Sequence, residues 1–308
     1  MLIYEFIDPE AQLKSEDFQF IENFLKFTKR DQLGWHYITD IIWIYSFVKN
    51  WSRNIKVLDA GGGQGPVQFL LAEMGFNVTN VDLVLVDLPA KYRHRYKTDL
   101  ETLPSFEPSS YESFLSNKKS DTLTRAKVKF KKLIKTAPAY SNWSSNKYST
   151  LHDNWRSSTS LLNTSIGSIK WYRGNLCKMP EIPCNYFDAV VSLSAWEHIP
   201  YEHLSNALVE IKRVLKPDGR WAVTTSATEK DKTWWHDPSQ SNCFSIADLE
   251  NIFGARSCGN QNPENILEKY NQCDYLKDSI AEFYKKSGKY GMPWGVWEPK
   301  YIPVGLSQ

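Results

Sequence analysis

What the chain lacks narrows it first. Its five cysteines, at positions 177, 184, 243, 258 and 273, form no C-x-x-C pair, and their number is odd. That pattern speaks against a zinc cluster and a disulfide framework and fits reduced thiols, so no metal site is expected. No apolar run approaches the ~18 residues that cross a bilayer. The most apolar stretch, Ile41 to Val48, is short and flanked by polar residues. Met1 to Glu10 carries acids and no basic residue, unlike a secretory leader, so a cytoplasmic location is the default expectation. A formal net charge of +2 gives no global pull towards nucleic acid, which makes that class of partner unlikely.

What is present is concentrated in Ile55 to Gly65. A short apolar run ends in Asp59, glycines follow at alternate positions 61, 63 and 65, and an apolar helical stretch starts at Val67. The pattern predicts a buried strand, a turn without Cβ atoms, and a helix whose N-terminus faces a ligand. Open α/β sheets bind nucleotides in this way, at the carboxyl ends of their strands. The dinucleotide fingerprint G-x-G-x-x-G fails here, because Pro66 stands where the third glycine belongs. A second strand over 77–83 brings another acid, Asp82, and a carboxylate accepts two hydrogen bonds from a diol.

The D-x-G-x-G-x-G segment from Asp59 to Gly65 resembles the first motif of the class I S-adenosylmethionine-dependent methyltransferases. Later segments extend the resemblance. Trp171 to Leu176 is similar to the strand and loop that meet the adenine, with Asn175 where many relatives have Asp. Phe187 to Ile199 resembles the fourth strand and the active-site loop. A helical stretch over 204–215, then Lys216-Pro217-Asp218-Gly219, then the strand-like Arg220 to Ser226, is a unit common in that family. The resemblance covers under half of the chain. It implies a Rossmann-like, doubly wound α/β fold with a mostly parallel sheet of about seven strands. It also implies the cofactor S-adenosyl-L-methionine. Carried onto this sequence, the cofactor site comprises Asp59, Gly61, Gly62, Gly63, Gly65, Asp82, Leu83, Asn175, Leu176 and Ser192.

The rest of the chain divides into an N-terminal helical lid over 1–54 and the cofactor-binding domain over 55–308. Helices are expected over 15–29 and about 36–51. Residues 84–168 form an insertion between the second and third strands, too long for a structureless loop. It contains a basic cluster, Lys91, Arg93, Arg95 and Lys97, that suits either a solvated face or a phosphate-bearing acceptor, and a second basic run over 125–135. Towards the end, a Ser-capped helix is expected over 245–253 and a longer one over 264–286. A last strand over 301–306 is weakened by Pro303. Its hairpin partner is not located.

Methyl transfer to a hydroxyl calls for a base, which contributes ~10²–10⁴-fold. His198, with Glu197 beside it, follows the fourth strand and is the first candidate. His236, paired with Asp237 after the fifth strand, is the rival, and His36 is third. Ser194-Ala195-Trp196-Glu197 is not the Asn/Asp-Pro-Pro-aromatic motif of base-amine methylation, and the loop has no Pro-Cys pair for attack on pyrimidine carbon. The expectation is O-methylation of a small molecule or saccharide. Alternatives are a catalytically inactive protein that binds cofactor and partners, and an RNA methyltransferase gripping RNA through residues 84–168.

Overall fold

The computed structural model describes residues 1–28, 30–84, 90–107, 165–259, 261–285, 292 and 295–308. In chain order the strands are β1 (Ile3–Phe6), β2 (Lys56–Ala60), β3 (Asn77–Asp82), β4 (Asp99–Thr102), β5 (Ser168–Arg173), β6 (Phe187–Leu193), β7 (Leu215–Ala227), β8 (Trp234–His236), β9 (Ser241–Cys243), β10 (Arg256–Ser257) and β11 (Ile302–Ser307). The helices are α1 (Pro9–Leu13), α2 (Glu16–Thr28), α3 (Tyr37–Val48), α4 (Val67–Glu73), α5 (Ala90–Arg95), α6 (Leu204–Val214), α7 (Ile246–Asn251), α8 (Pro263–Asn271), α9 (Asp274–Asp278) and α10 (Glu282–Lys285).

Nine strands form one sheet in the order β10-β1-β11-β7-β6-β2-β3-β5-β4, and β8 and β9 form a separate hairpin. All pairs from β7 through to β4 are parallel, and only β11 runs against its neighbours. β2, β3 and β6 are buried on both faces, which explains their nearly continuous apolar runs. Two apolar clusters cover the faces. One gathers Ile41, Phe69, Leu70 and Tyr96, and the other gathers Leu208, Ile211, Leu249 and Tyr270. The strand order reverses between β2 and β6, so the crevice of the fold opens where β2 ends in the glycine turn.

The mostly parallel Rossmann-like sheet expected from the sequence is present, with short edge strands β4 and β10 added. β4 and α5 come from the 84–168 segment, and β4 extends the sheet edge. The basic run over 125–135 lies outside the described residues. The cluster over 91–97 is not one basic face: Arg95 pairs with the fully buried Glu73 at 2.6 Å, and the Tyr96 hydroxyl donates to the same carboxylate at 2.9 Å.

Three local expectations need correction. The single helix over 264–286 is broken into α8, α9 and α10 across its described residues, with Cys273 at the N-cap position of α9. Lys216 to Gly219, expected between the helix and the strand, lies within β7. It bulges from β7, because Leu215 pairs with Phe187 while Arg220 already pairs with Ala189. The partner of the last strand comes from the other end of the chain: β1 pairs antiparallel with β11, Tyr4 opposite Leu306. Pro303 is tolerated in β11 because it lies just past the end of β1, where its carbonyl still accepts from the Ile7 N–H at 3.0 Å.

Candidate functional site

The glycine turn is held from below by acids and amides. Gly61 has φ +81° and Gly63 φ +47°, conformations that side-chain-bearing residues rarely adopt. A Cβ at Gly61 would come within 2.8 Å of Ala195, and one at Gly62 would overlap the carboxylate of Asp59. Asp59 is therefore directly beneath the turn. One of its oxygens accepts from Asn80 Nδ2 at 3.1 Å, and the other is buried with no partner among the described residues. Burial, helped by the charge of Asp82, pushes its pKa up to about 7.

Asp82 ends β3 beside the turn. Its carboxylate accepts from the Gly63 N–H at 2.9 Å and the Val84 N–H at 2.8 Å. Burial raises its pKa, while those two N–H groups and the imidazole of His198 oppose the rise. Two residues that sequence reasoning missed complete the cradle. Gln68 donates to the carbonyls of Gly63 and Gly65 at 3.0 and 3.1 Å and accepts from the Trp171 indole. Asn80 spans Asp59 and the turn. Neither carries a sequence signal beyond its place in an apolar run.

The other expected cofactor residues fall around this turn. Ser192 is fully buried, and its hydroxyl donates to the Ala60 carbonyl at 2.7 Å, so its side chain ties β6 to the end of β2. Asn175 follows β5, and its side-chain oxygen accepts from the Cys177 N–H at 2.9 Å, closing its own turn. Leu176 is buried in the adjoining cluster, and Leu83 packs against it.

The catalytic candidates gather beyond the ends of β6 and β7. His198 donates its Nδ1–H to the Gln240 carbonyl at 2.9 Å, which leaves Nε2 as the unprotonated nitrogen of the neutral ring. Glu197 is buried and accepts from Thr225 Oγ1 at 3.0 Å. Burial raises its pKa against the lowering influence of His198 and His36. The expected His236–Asp237 pairing is absent from the hydrogen bonds: His236 Nδ1 meets Ser239 Oγ at 2.6 Å, because β8 turns back into β9 and brings Ser239 under the ring. Burial lowers the His236 pKa.

His36 has the more developed surroundings. Its Nδ1 lies 3.0 Å from Asp40 Oδ2, one helical turn on. The same oxygen accepts from Ser194 Oγ at 2.7 Å and Thr224 Oγ1 at 3.2 Å, while Oδ1 is buried without a partner among the described residues. Asp40 thus joins α3 to the ends of β6 and β7. The rings of Trp35, Tyr37 and Tyr301 flank His36 edge-on at 4.6, 5.0 and 5.7 Å. Tyr301 also meets His236 at 5.4 Å. Trp35 in turn lines a cleft of about 470 Å³ that opens between α2 and α9.

The cradle fits an adenosyl sulfonium. Two positive-φ glycines leave room for close approach, a carboxylate, Asp82, stands beside the turn, and an unpartnered carboxylate oxygen beneath it favours positive charge. This fold and site are those of a class I methyltransferase. A profile of the family described as "Methyltransferase domain" matches residues 36–258, and the chain belongs to that family. It is an S-adenosylmethionine-dependent methyltransferase. A search of curated proteins found no match.

Solved structures are similar to the chain at low identity. The Burkholderia thailandensis 1,6-didemethyltoxoflavin-N1-methyltransferase, solved with S-adenosylhomocysteine, is 12% identical with a TM-score of 0.41, over 97% of this chain and 88% of that one. The [4+2]-cyclase SpnF is 11% identical with a TM-score of 0.46, over 98% and 96%. The PH0226 protein of Pyrococcus horikoshii is 16% identical with a TM-score of 0.31, over 70% of this chain and 57% of that one.

Proposed function

We propose that the protein methylates a hydroxyl oxygen of a small molecule or saccharide, phosphate-bearing acceptors included. The observation that carries this reading is the His36–Asp40 pair at the carboxyl ends of β6 and β7. The cofactor, when bound, supplies a methyl group activated by a sulfonium. The acceptor oxygen forms the new C–O bond as the C–S bond breaks, and its proton needs a destination. His36 can take it at Nε2, because Nδ1–H donates to a buried carboxylate that fixes the tautomer and stabilises the cation formed. Among the described residues the hydrogen bond of the His36 ring is made at Nδ1.

The other candidates take supporting parts in this proposal. His198 influences Asp82 and is assigned to the cofactor side, beside the ribose acid. Glu197 fixes the loop after β6 through Thr225. His236 shares the ring of Tyr301 with His36 and walls the acceptor space. The N-terminal segment is a lid in the sense that His36 and Asp40 close over the strand ends.

The test is a screen of hydroxylated and saccharide acceptors with labelled methyl donor, run on the wild type and on His36→Asn. The proposal expects methyl ethers from the wild type and at least a hundredfold loss of kcat in the variant, the low end of a base's contribution (~10²). Products methylated only on nitrogen, or full turnover by the variant, would overturn it.

A further inference from the structure

We propose that the cleft between α2 and α9 is a second ligand site, separate from the acceptor space, and that it takes an apolar molecule carrying a cationic amine. The cleft holds about 470 Å³, within the range of small-molecule sites (~300–1,000 Å³). Leu25, Leu33, Ile38, Leu276 and Ile280 give it apolar walls. They come from α2, the segment before α3, α3 itself, and α9 with the residues just after it. An apolar occupant gains free energy there by leaving water.

Charge decides what else the occupant carries. The charged side chains of the cleft are Glu22, Lys26, Asp31 and Asp278, one cation against three carboxylates. Lys26 is neutralised by Glu22 at 2.8 Å, and the Tyr275 hydroxyl donates to the same carboxylate at 3.3 Å. Asp31 and Asp278 are exposed and form no ion pair among the described residues. Their charges add, so the cleft repels a phosphate or a carboxylate and attracts an ammonium. The walls ask for an apolar body and the two free carboxylates for a cation attached to it.

Trp35 and Tyr37 connect the cleft to His36. Trp35 lines the cleft and meets His36 edge-on, 4.6 Å between ring centroids. Its indole N–H donates at 3.0 Å to the hydroxyl of Tyr301, whose ring lies beside both His36 and His236. Gly34 also lines the cleft, and a Cβ there would come within 2.9 Å of the Tyr37 ring, which flanks His36 at 5.0 Å. A molecule packed on Gly34 and Trp35 therefore fixes the rings around His36 from behind. Its occupancy is felt at the histidine without contact to an acceptor.

The test uses the full chain without cofactor or acceptor, so its outcome is independent of the methyl-transfer reading. The probes are tryptamine, indole-3-acetamide and indole-3-acetate, which share a ring and a side-chain length and are a cation, a neutral molecule and an anion. Calorimetric titration of the wild type is expected to place tryptamine about three- to tenfold above the amide, the scale of two exposed charge contacts, and the acetate last. Asp31→Asn with Asp278→Asn is expected to level the three affinities and to leave that of the amide unchanged. Leu33→Trp, which fills the cleft, is expected to abolish binding of all three. Should that variant melt early, Ser279→Trp at the exposed rim takes its place. The proton resonances of the His36 ring, assigned by their loss in His36→Asn, are expected to shift when tryptamine is added. Binding of no probe, equal affinities in the wild type, or a preference for the acetate would overturn the site. So would binding kept in the filled variant, or a cation preference that survives in the double Asn variant. A His36 resonance unmoved by saturating tryptamine would overturn the link to the histidine.

Discussion

The indole N–H of Trp171 on β5 donates to the side-chain carbonyl of Gln68 on α4, and the NH2 of the same carboxamide donates to two carbonyls of the glycine turn. One buried amide thus passes the position of β5 to the glycine turn. In Gln68→Leu the indole loses its acceptor and the turn loses its anchor. The variant is expected to lose ~1–3 kcal/mol of stability. Its affinity for S-adenosylhomocysteine should fall about tenfold. Urea unfolding and calorimetric titration check the two parts separately.

Asp59 is expected to make cofactor binding depend on pH. Its carboxyl titrates near 7 in the folded chain, against an ordinary value of 3.8. The folded protein therefore holds a proton that the unfolded chain releases between those values. The stability from this group is fully present below the ordinary value and is lost as pH rises through about 7. A cationic ligand requires the opposite, ionised form. Affinity should therefore decline as pH drops below about 7, with a proton released on binding there. Titrations in buffers of different ionisation enthalpy measure that proton. Asp59→Asn should bind weakly with no such release, and a release that persists in the variant would assign the proton elsewhere.

Asp82→Ala tests the proposal that this acid holds the ribose. It removes the acceptor of the Gly63 and Val84 N–H groups, both near the rim where water can replace it. The fold should persist while S-adenosylmethionine binds about 10- to 100-fold more weakly, or ~1.4–2.8 kcal/mol. Circular dichroism and titration together give the answer, and unchanged affinity would mean that the ribose lies elsewhere.

Asp40 offers a prediction free of any ligand. In Asp40→Ala the imidazole of His36 and the hydroxyls of Ser194 and Thr224 lose their shared acceptor in a buried site. A loss of ~3–5 kcal/mol is expected, the scale for breaking a buried charged network. Asp40→Asn keeps an acceptor oxygen and should lose less. Guanidinium unfolding of the two variants side by side reads the difference.

Short-range features were the legible ones. The glycine turn, Asp59 and Asp82 lie within one strand–turn–helix–strand unit, where spacing along the chain reflects distance in space. Gln68, Asn80 and Asp40 act through partners set by the fold: Ser194 is 154 residues from Asp40. No local pattern announces such contacts. Adjacency also misled. Asp237 stands next to His236 in the chain, yet the β8–β9 hairpin delivers Ser239 to the ring. Ile3 to Phe6 alternates between exposed and buried side chains, a strand pattern that is short and far from any motif.

The pairing of β1 with β11 has a consequence for how the protein is made. Ile3 meets Ser307, so β1 finds its place only once β11, far along the chain, is available to pair with it. Until then β7 has an open edge where β11 will insert, and the sheet is exposed to wrong partners. Contacts that span so much of the chain also close slowly. A chain without β11 cannot complete the sheet that supports the Asp40 network.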